Sequence, residues 1–182
     1  MYEYGVDYFT TISLFYCCIF PVGKIFSIDN IIFKPKKPID HKIYLTLLKA
    51  HLSIAYFFSG FEKLLGTSWR NGEAVWKSIH SHNYYSLFNL NFLADTPFFY
   101  ICGWATIIIE MFYPVFMNLP KFRSYWLIGV IGMHLFIAFF MGLFFFSALM
   151  IILSVTAFYM PYYKFEVLSF KRIELVRIKL KI

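Results

Sequence analysis

Apolar residues collect into long runs at 6–22, 43–65, 97–117, 125–141 and 143–160, separated by polar or turn-forming segments. The first run lies near the lower limit of about 17 residues for a helix that crosses a bilayer. From Ser124 to Met160 no residue carries a formal charge. At about 1.5 Å per residue that stretch exceeds one crossing of a hydrocarbon core about 30 Å thick. A division at Met141-Gly142 gives two helices joined by a very tight turn; a single bent helix is the alternative. The pattern predicts an all-α fold, a polytopic membrane helical bundle of about five transmembrane helices.

The segments between the runs refine this picture. Residues 24–42 hold five Lys and two Pro, and read as a loop. Residues 67–95 are too many for a simple connection. Within them, 71–80 place Ala74, Val75 and Ile79 on one side of an amphipathic helix, and Trp69, Trp76, Tyr84 and Tyr85 suit the headgroup region. An interfacial helix is therefore expected after the second span. Pro97 suits a first helical turn, and 120–123 read as a short basic turn. The tail 163–182 is basic and ends IELVRIKLKI, a strand or a surface-bound segment.

Composition supports membrane residence. The chain is 60% hydrophobic and 15% charged, with 24 Phe and 14 Tyr, more apolar surface than a soluble domain of this size needs. The net charge of +7 does not point to nucleic acid, because the cations sit between the spans and form no stripe. Of the 17 Lys and Arg, Arg70 and Lys77 fall in one set of loops and Lys49 and Lys63 on the second span; the other thirteen fall in the opposite loops and tail. The positive-inside rule then places the N-terminus and the Lys63 end outside and the C-terminus in the cytoplasm. Cys17, Cys18 and Cys102 have no zinc or redox spacing and read as small buried hydrophobes. His80 and His82 lack a third ligand, so no metal is expected.

Charge inside an apolar helix is costly and marks candidate chemistry. On the second span Lys49, Tyr56 and Ser59 fall within about 40° of Lys63, and His51 and Glu62 share a neighbouring face. That polar side should face the bundle interior. Desolvation disfavours an ammonium, which lets a buried Lys act as a general base. A Lys near a helix end that snorkels to the interface is the other reading. Glu110 sits mid-run in TIIIEMFYP and needs a partner from another helix, with Lys63, His51 and His134 as candidates. It reads either as half of a structural pair or as a proton carrier. His134, in GVIGMHLFIAFF, reads as a satisfied core residue or a functional one, and Gly129 and Gly132 before it permit close helix approach.

The run YFFSGFEKLLGTSWRNGEAVW resembles the signature of the HTTM domain, shared by vitamin K-dependent gamma-carboxylases and many bacterial homologues. Ser59-Gly60, Lys63-Leu64, Trp69, Gly72 and Ala74 carry it. Pro21, Gly23, Lys24, Phe26, Ser27 and Asp29 resemble the preceding loop of bacterial members. Met133-His134, Phe140-Met141-Gly142-Leu143 and Phe146-Ser147 resemble a late-helix His-and-Gly motif. The likeness is to a short or truncated bacterial member, with residues 1–162 as an HTTM-like domain incomplete at its N-terminus.

In the carboxylases the Lys of this motif deprotonates vitamin K hydroquinone. Oxygenation then yields a stronger base that removes a γ-proton from a substrate Glu, and CO2 adds to the carbanion. The resemblance therefore implies Lys63 as a base, with Glu110 and His134 as catalytic candidates and Tyr56, Ser59, Glu62, Trp69 and Arg70 as binding candidates. Glu62 stands where the animal enzymes have a Lys, and an acid beside Lys63 would favour its charged form. The implied cofactor is a reduced quinone of the vitamin K type. The implied partners are the lipid bilayer and a peptide or small lipophilic substrate, met at the outer face of a bacterial inner membrane. The alternatives are a carboxylase-like enzyme using Lys63 and a non-enzymatic assembly subunit.

Overall fold

The computed structural model describes residues 5–20, 42–80, 90–94 and 96–159. Among them every regular element is helical. The chain runs through α1 (Gly5–Ile19), α2 (Lys42–Leu65), α3 (Thr67–Arg70) and α4 (Glu73–His80). A single 3₁₀ turn at Asn91–Leu93 leads to α5 (Phe98–Met111) and α6 (Tyr113–Phe116), then α7 (Pro120–Met141) and α8 (Phe144–Phe158). Most of the expected basic loop, the loop residues 81–89 with Tyr84 and Tyr85, and the basic tail lie outside the described residues.

The apolar run at 97–117 is a broken helix, where the sequence suggested a continuous one. Pro97 precedes the first turn, and α5 stops at Met111. Pro114 enters the first turn of α6, where a proline has no N–H to offer the carbonyl of Glu110. The neighbouring carbonyl of Ile109 accepts from Trp126 Nε1 at 3.1 Å, which satisfies a backbone group at the break. The basic turn at 120–123 is instead the first turn of α7, where Pro120 needs no donor. Arg123 is buried there and donates from Nε to the carbonyl of Met117 at 2.8 Å.

The uncharged stretch resolves into two helices. Gly142 adopts φ 69°, a left-handed conformation that ends α7 and that residues with a Cβ rarely take. Helix α8 then packs back along α7. Among the described helices α7 is long and apolar enough to cross a bilayer, and α5 and α8 are shorter apolar helices.

The main core gathers Leu48, Leu52 and Tyr56 from α2, Tyr113 and Met117 around α6, Val130 from α7, and Met150 and Phe158 from α8. Phe9 and Tyr16 of α1 pack against it. A second cluster, Val75, Ile79, Leu90 and Phe99, seats α4 on α5, so the expected amphipathic face is buried. The outer surface is apolar, with Phe145 87% and Tyr125 76% exposed, as a lipid-facing surface would be. Between helices in lipid, packing and dispersion replace the hydrophobic drive.

Two expectations are corrected. Cys17 and Cys18 are exposed on α1, because the bundle meets that helix along its Phe9 and Tyr16 side. Within the chain, Gly129 and Gly132 are not close-approach points. A Cβ at Gly129 would meet only the side chain of Ile109 at 3.9 Å, and one at Gly132 would meet open space. The close approaches fall at Gly60, Gly72 and Gly103.

Candidate functional site

Gly60 brings α2 and α5 together. A Cβ there would lie 2.5 Å from the backbone nitrogen of Met111 and 3.0 Å from Cβ of Glu110. Without it, α5 lies directly on α2 and Glu110 reaches the residue one turn further along. Lys63 Nζ stands 2.7 Å from Glu110 Oε2 and donates to Ser59 Oγ at 2.6 Å. The side chains of Lys63 and Glu110 are 18% and 9% exposed, so the pair is screened on most sides but not sealed. Of the candidate partners for Glu110, the geometry selects Lys63. His51 is engaged elsewhere, with Nδ1 2.7 Å from the hydroxyl of Tyr16 on α1.

Beyond the end of α2 the chain folds over Lys63. Gly66 ends the helix, with its N–H directed to the carbonyls of Glu62 and Lys63 at 3.1 and 3.2 Å. One helical turn later, the ring of Trp69 lies 5.1 Å from Lys63 Nζ. Such a cation–π contact is worth about 0.5–2 kcal/mol, more as water is removed. This turn is fixed to α5. Gly103 has no Cβ, and one there would collide with the carbonyl of Trp69. Gly72 sits at φ 82° with its Cα side against the backbone of Tyr100. Trp104 Nε1 donates to the carbonyl of Arg70 at 3.2 Å.

A second polar group lies deeper. The hydroxyl of Tyr56 and Nε2 of His134 are 2.7 Å apart, joining α2 to α7. Tyr56 stacks on Tyr113, with centroids 4.0 Å apart and planes within 10°. Tyr113 donates its hydroxyl hydrogen to Ser154 Oγ of α8 at 3.1 Å. These side chains are buried, and His134 Nδ1 has no hydrogen-bond partner among the described residues.

Thus Lys63, Ser59, Glu110 and Trp69 come together, while Tyr56 and His134 form a separate pair. Glu62 and Arg70 are exposed and stand outside both groups. The acid that meets Lys63 is Glu110 from another helix, not the adjacent Glu62. Tyr113 and Ser154 were not singled out in the sequence. The signal for Tyr113 was its place three residues after Glu110, the spacing of one helical face.

A family model described as the HTTM domain matches residues 6–162. No curated protein and no solved structure matches the chain. The matched span runs from α1 through α8 and includes the Lys63 turn and the helix that carries Glu110, so the chain is a membrane protein that belongs to the HTTM domain family.

Proposed function

We propose that this protein binds the hydroxyl-bearing end of a lipophilic, quinol-like molecule at Lys63 and Glu110 and takes a proton from it. The observation that carries the reading is the 2.7 Å contact between Lys63 and Glu110 on two apolar helices, with part of each side chain left exposed. Beside it the ring of Trp69 offers an apolar face to a ligand's ring. A donor and an acceptor held side by side in an apolar surround fit one hydroxyl of a hydroquinone. Such a group, when bound, supplies an acidic hydroxyl.

The residues then act in sequence. In a desolvated site the charged and neutral forms of an ion pair lie close in energy, because desolvation opposes the charges that attraction favours. A proton passing from the Lys63 ammonium to the Glu110 carboxylate leaves an amine and a carboxylic acid. The amine takes the proton of the ligand's hydroxyl and becomes an ammonium facing the new anion. Ser59 and Trp69 hold Nζ in place on either side. A peptide modified with the help of that anion is the further partner in this reading, the carboxylase-like form of the activity.

The membrane arrangement that goes with it has crossings formed by α1, α2, α5 with α6, α7 and α8. The Lys63 end and N-terminus are outside, and the C-terminus is cytoplasmic in a bacterial inner membrane. The bias of Lys and Arg between the two sets of loops supports it.

The test uses protein in lipid nanodiscs with a short-chain naphthohydroquinone, without oxygen. Lys63→Ala and Glu110→Gln should each weaken binding at least tenfold. Lys63→Arg keeps a cation that does not give up its proton, so it should bind the hydroquinone yet show no absorbance of the hydroquinone anion. Native behaviour in all three variants would sink the reading.

A further inference from the structure

We propose that Ser147 of α8 binds the second oxygen of the ligand whose first hydroxyl meets Lys63 and Glu110, so that the site takes a ring with oxygen at both ends. The inference rests on the reading of Lys63 and Glu110 as a hydroxyl-binding pair and names the class of ring they receive. The state of the Ser147 hydroxyl is the first observation. Ser147 is 1% exposed, and its Oγ has no hydrogen-bond partner among the described residues. A serine within a helix has a ready partner in the carbonyl four residues earlier. Here the Leu143 carbonyl accepts the Ser147 N–H at 3.0 Å, and the hydroxyl does not join it. Folded proteins pair nearly all their buried hydroxyls, because an unpaired one is costly.

Depth and direction are the second and third observations. Helices α2 and α8 run in opposite directions. Lys49 Nζ lies 5.4 Å from the centre of the Phe158 ring, and further along α2 Tyr56 stacks on Tyr113, which donates to Ser154. Lys63 follows Tyr56 by seven residues, and Ser147 precedes Ser154 by seven. Each step covers about 10 Å toward the same end of the bundle. Seven residues fall about 20° short of two full turns, so Lys63 keeps the face of Tyr56 and Ser147 keeps the face of Ser154. Ser147 therefore stands at the depth of Lys63, on the face that α8 turns to the core. A hydroxyl both donates and accepts, so it can pair with a ligand's hydroxyl or carbonyl oxygen. A ring with a single oxygen leaves it unpaired and binds less tightly.

The test compares binding of a short-chain naphthohydroquinone with that of its analogue bearing one hydroxyl, in nanodiscs without oxygen. The native protein should bind the diol at least tenfold more tightly. Ser147→Ala should bring that preference to within twofold by weakening the diol alone. Ser147→Cys keeps the side-chain volume with a much weaker donor; it should do the same, and it serves if Ser147→Ala does not fold. A native preference within twofold, or one unchanged in both variants, overturns the proposal. Thiol chemistry gives a readout that needs no ligand. With the free cysteines Cys17, Cys18 and Cys102 changed to Ser, the Ser147→Cys thiol should react with methyl methanethiosulfonate at least tenfold faster than the Ser154→Cys thiol. Equal rates would put Ser147 in the sealed core with Ser154 and overturn the proposal whatever the ligand. Failure of the native protein to bind either compound, with the Ser147→Cys thiol reactive, would instead count against the hydroquinone reading alone.

Discussion

Two polar groups lie on the inner side of α2, and they are built differently. The one at Lys63 is charged, partly open and framed by glycines that let backbones touch. The one at Tyr56 and His134 has no carboxylate or ammonium in its hydrogen bonds, lies within the core, and is framed by aromatic rings. The first arrangement leaves part of its polar surface exposed. The second ties α2, α6, α7 and α8 into one bundle through Tyr56, Tyr113, His134 and Ser154. The contrast separates a site that can exchange partners from one that fixes helix order.

The largest expected effect breaks the charged group. Glu110→Leu leaves Lys63 without its carboxylate, and breaking a buried pair in this way costs about 3–5 kcal/mol. Adding Lys63→Met should recover most of the loss, since an apolar pair of similar volume replaces the ion pair. Unfolding by denaturing detergent, followed by circular dichroism, measures both. A single variant as stable as the double one would show that the pair carries no structural load.

Breaking the neutral group should cost less. Tyr56→Phe keeps the ring stack on Tyr113 but leaves His134 with both nitrogens unpartnered, a loss of about 1–3 kcal/mol. The same titration reads it, and hydroquinone binding at Lys63 should stay native. A change in that binding would mean that the two groups are one unit.

The smallest effect lies on α4, away from both. The hydrogen bond from Lys77, with its charge, holds the Glu73 carboxyl below its usual range, and Asn71 accepts from the Glu73 N–H at the helix start. A carboxyl depressed in the folded state stabilises above its unfolded value and loses that contribution as pH falls through the folded value. The melting temperature should therefore dip slightly as pH falls through the acid range. Lys77→Ala should flatten the dip, and an unchanged pH profile would assign it to other groups.

Much of the helical layout was legible in the sequence because it depends on local chemistry. Gly142 ends α7 where the charge-free stretch had to turn, and Val75 and Ile79 mark the buried face of α4. The polar side of α2 also followed from spacing along one helix. What could not be read there depends on contacts between helices. Glu110 had several possible partners, and only the approach at Gly60 selects Lys63. The break at Phe112 was missed because Pro114 fits equally into a kinked helix or a new first turn. Gly129 and Gly132 looked like contact points, yet bare glycine spacing does not say which side of a helix meets a neighbour.

The left-handed turn at Gly142 also bears on how the chain enters a membrane. With the crossings proposed above, α7 and α8 form a hairpin whose connection carries no charge and leaves few backbone groups between the helices. No ion has to be carried through hydrocarbon to reach the far side, a passage that costs about 2.5–3.5 kcal/mol per charged residue on insertion scales. The two helices can therefore be delivered as one folded unit, with α8 following α7 into the bilayer already paired.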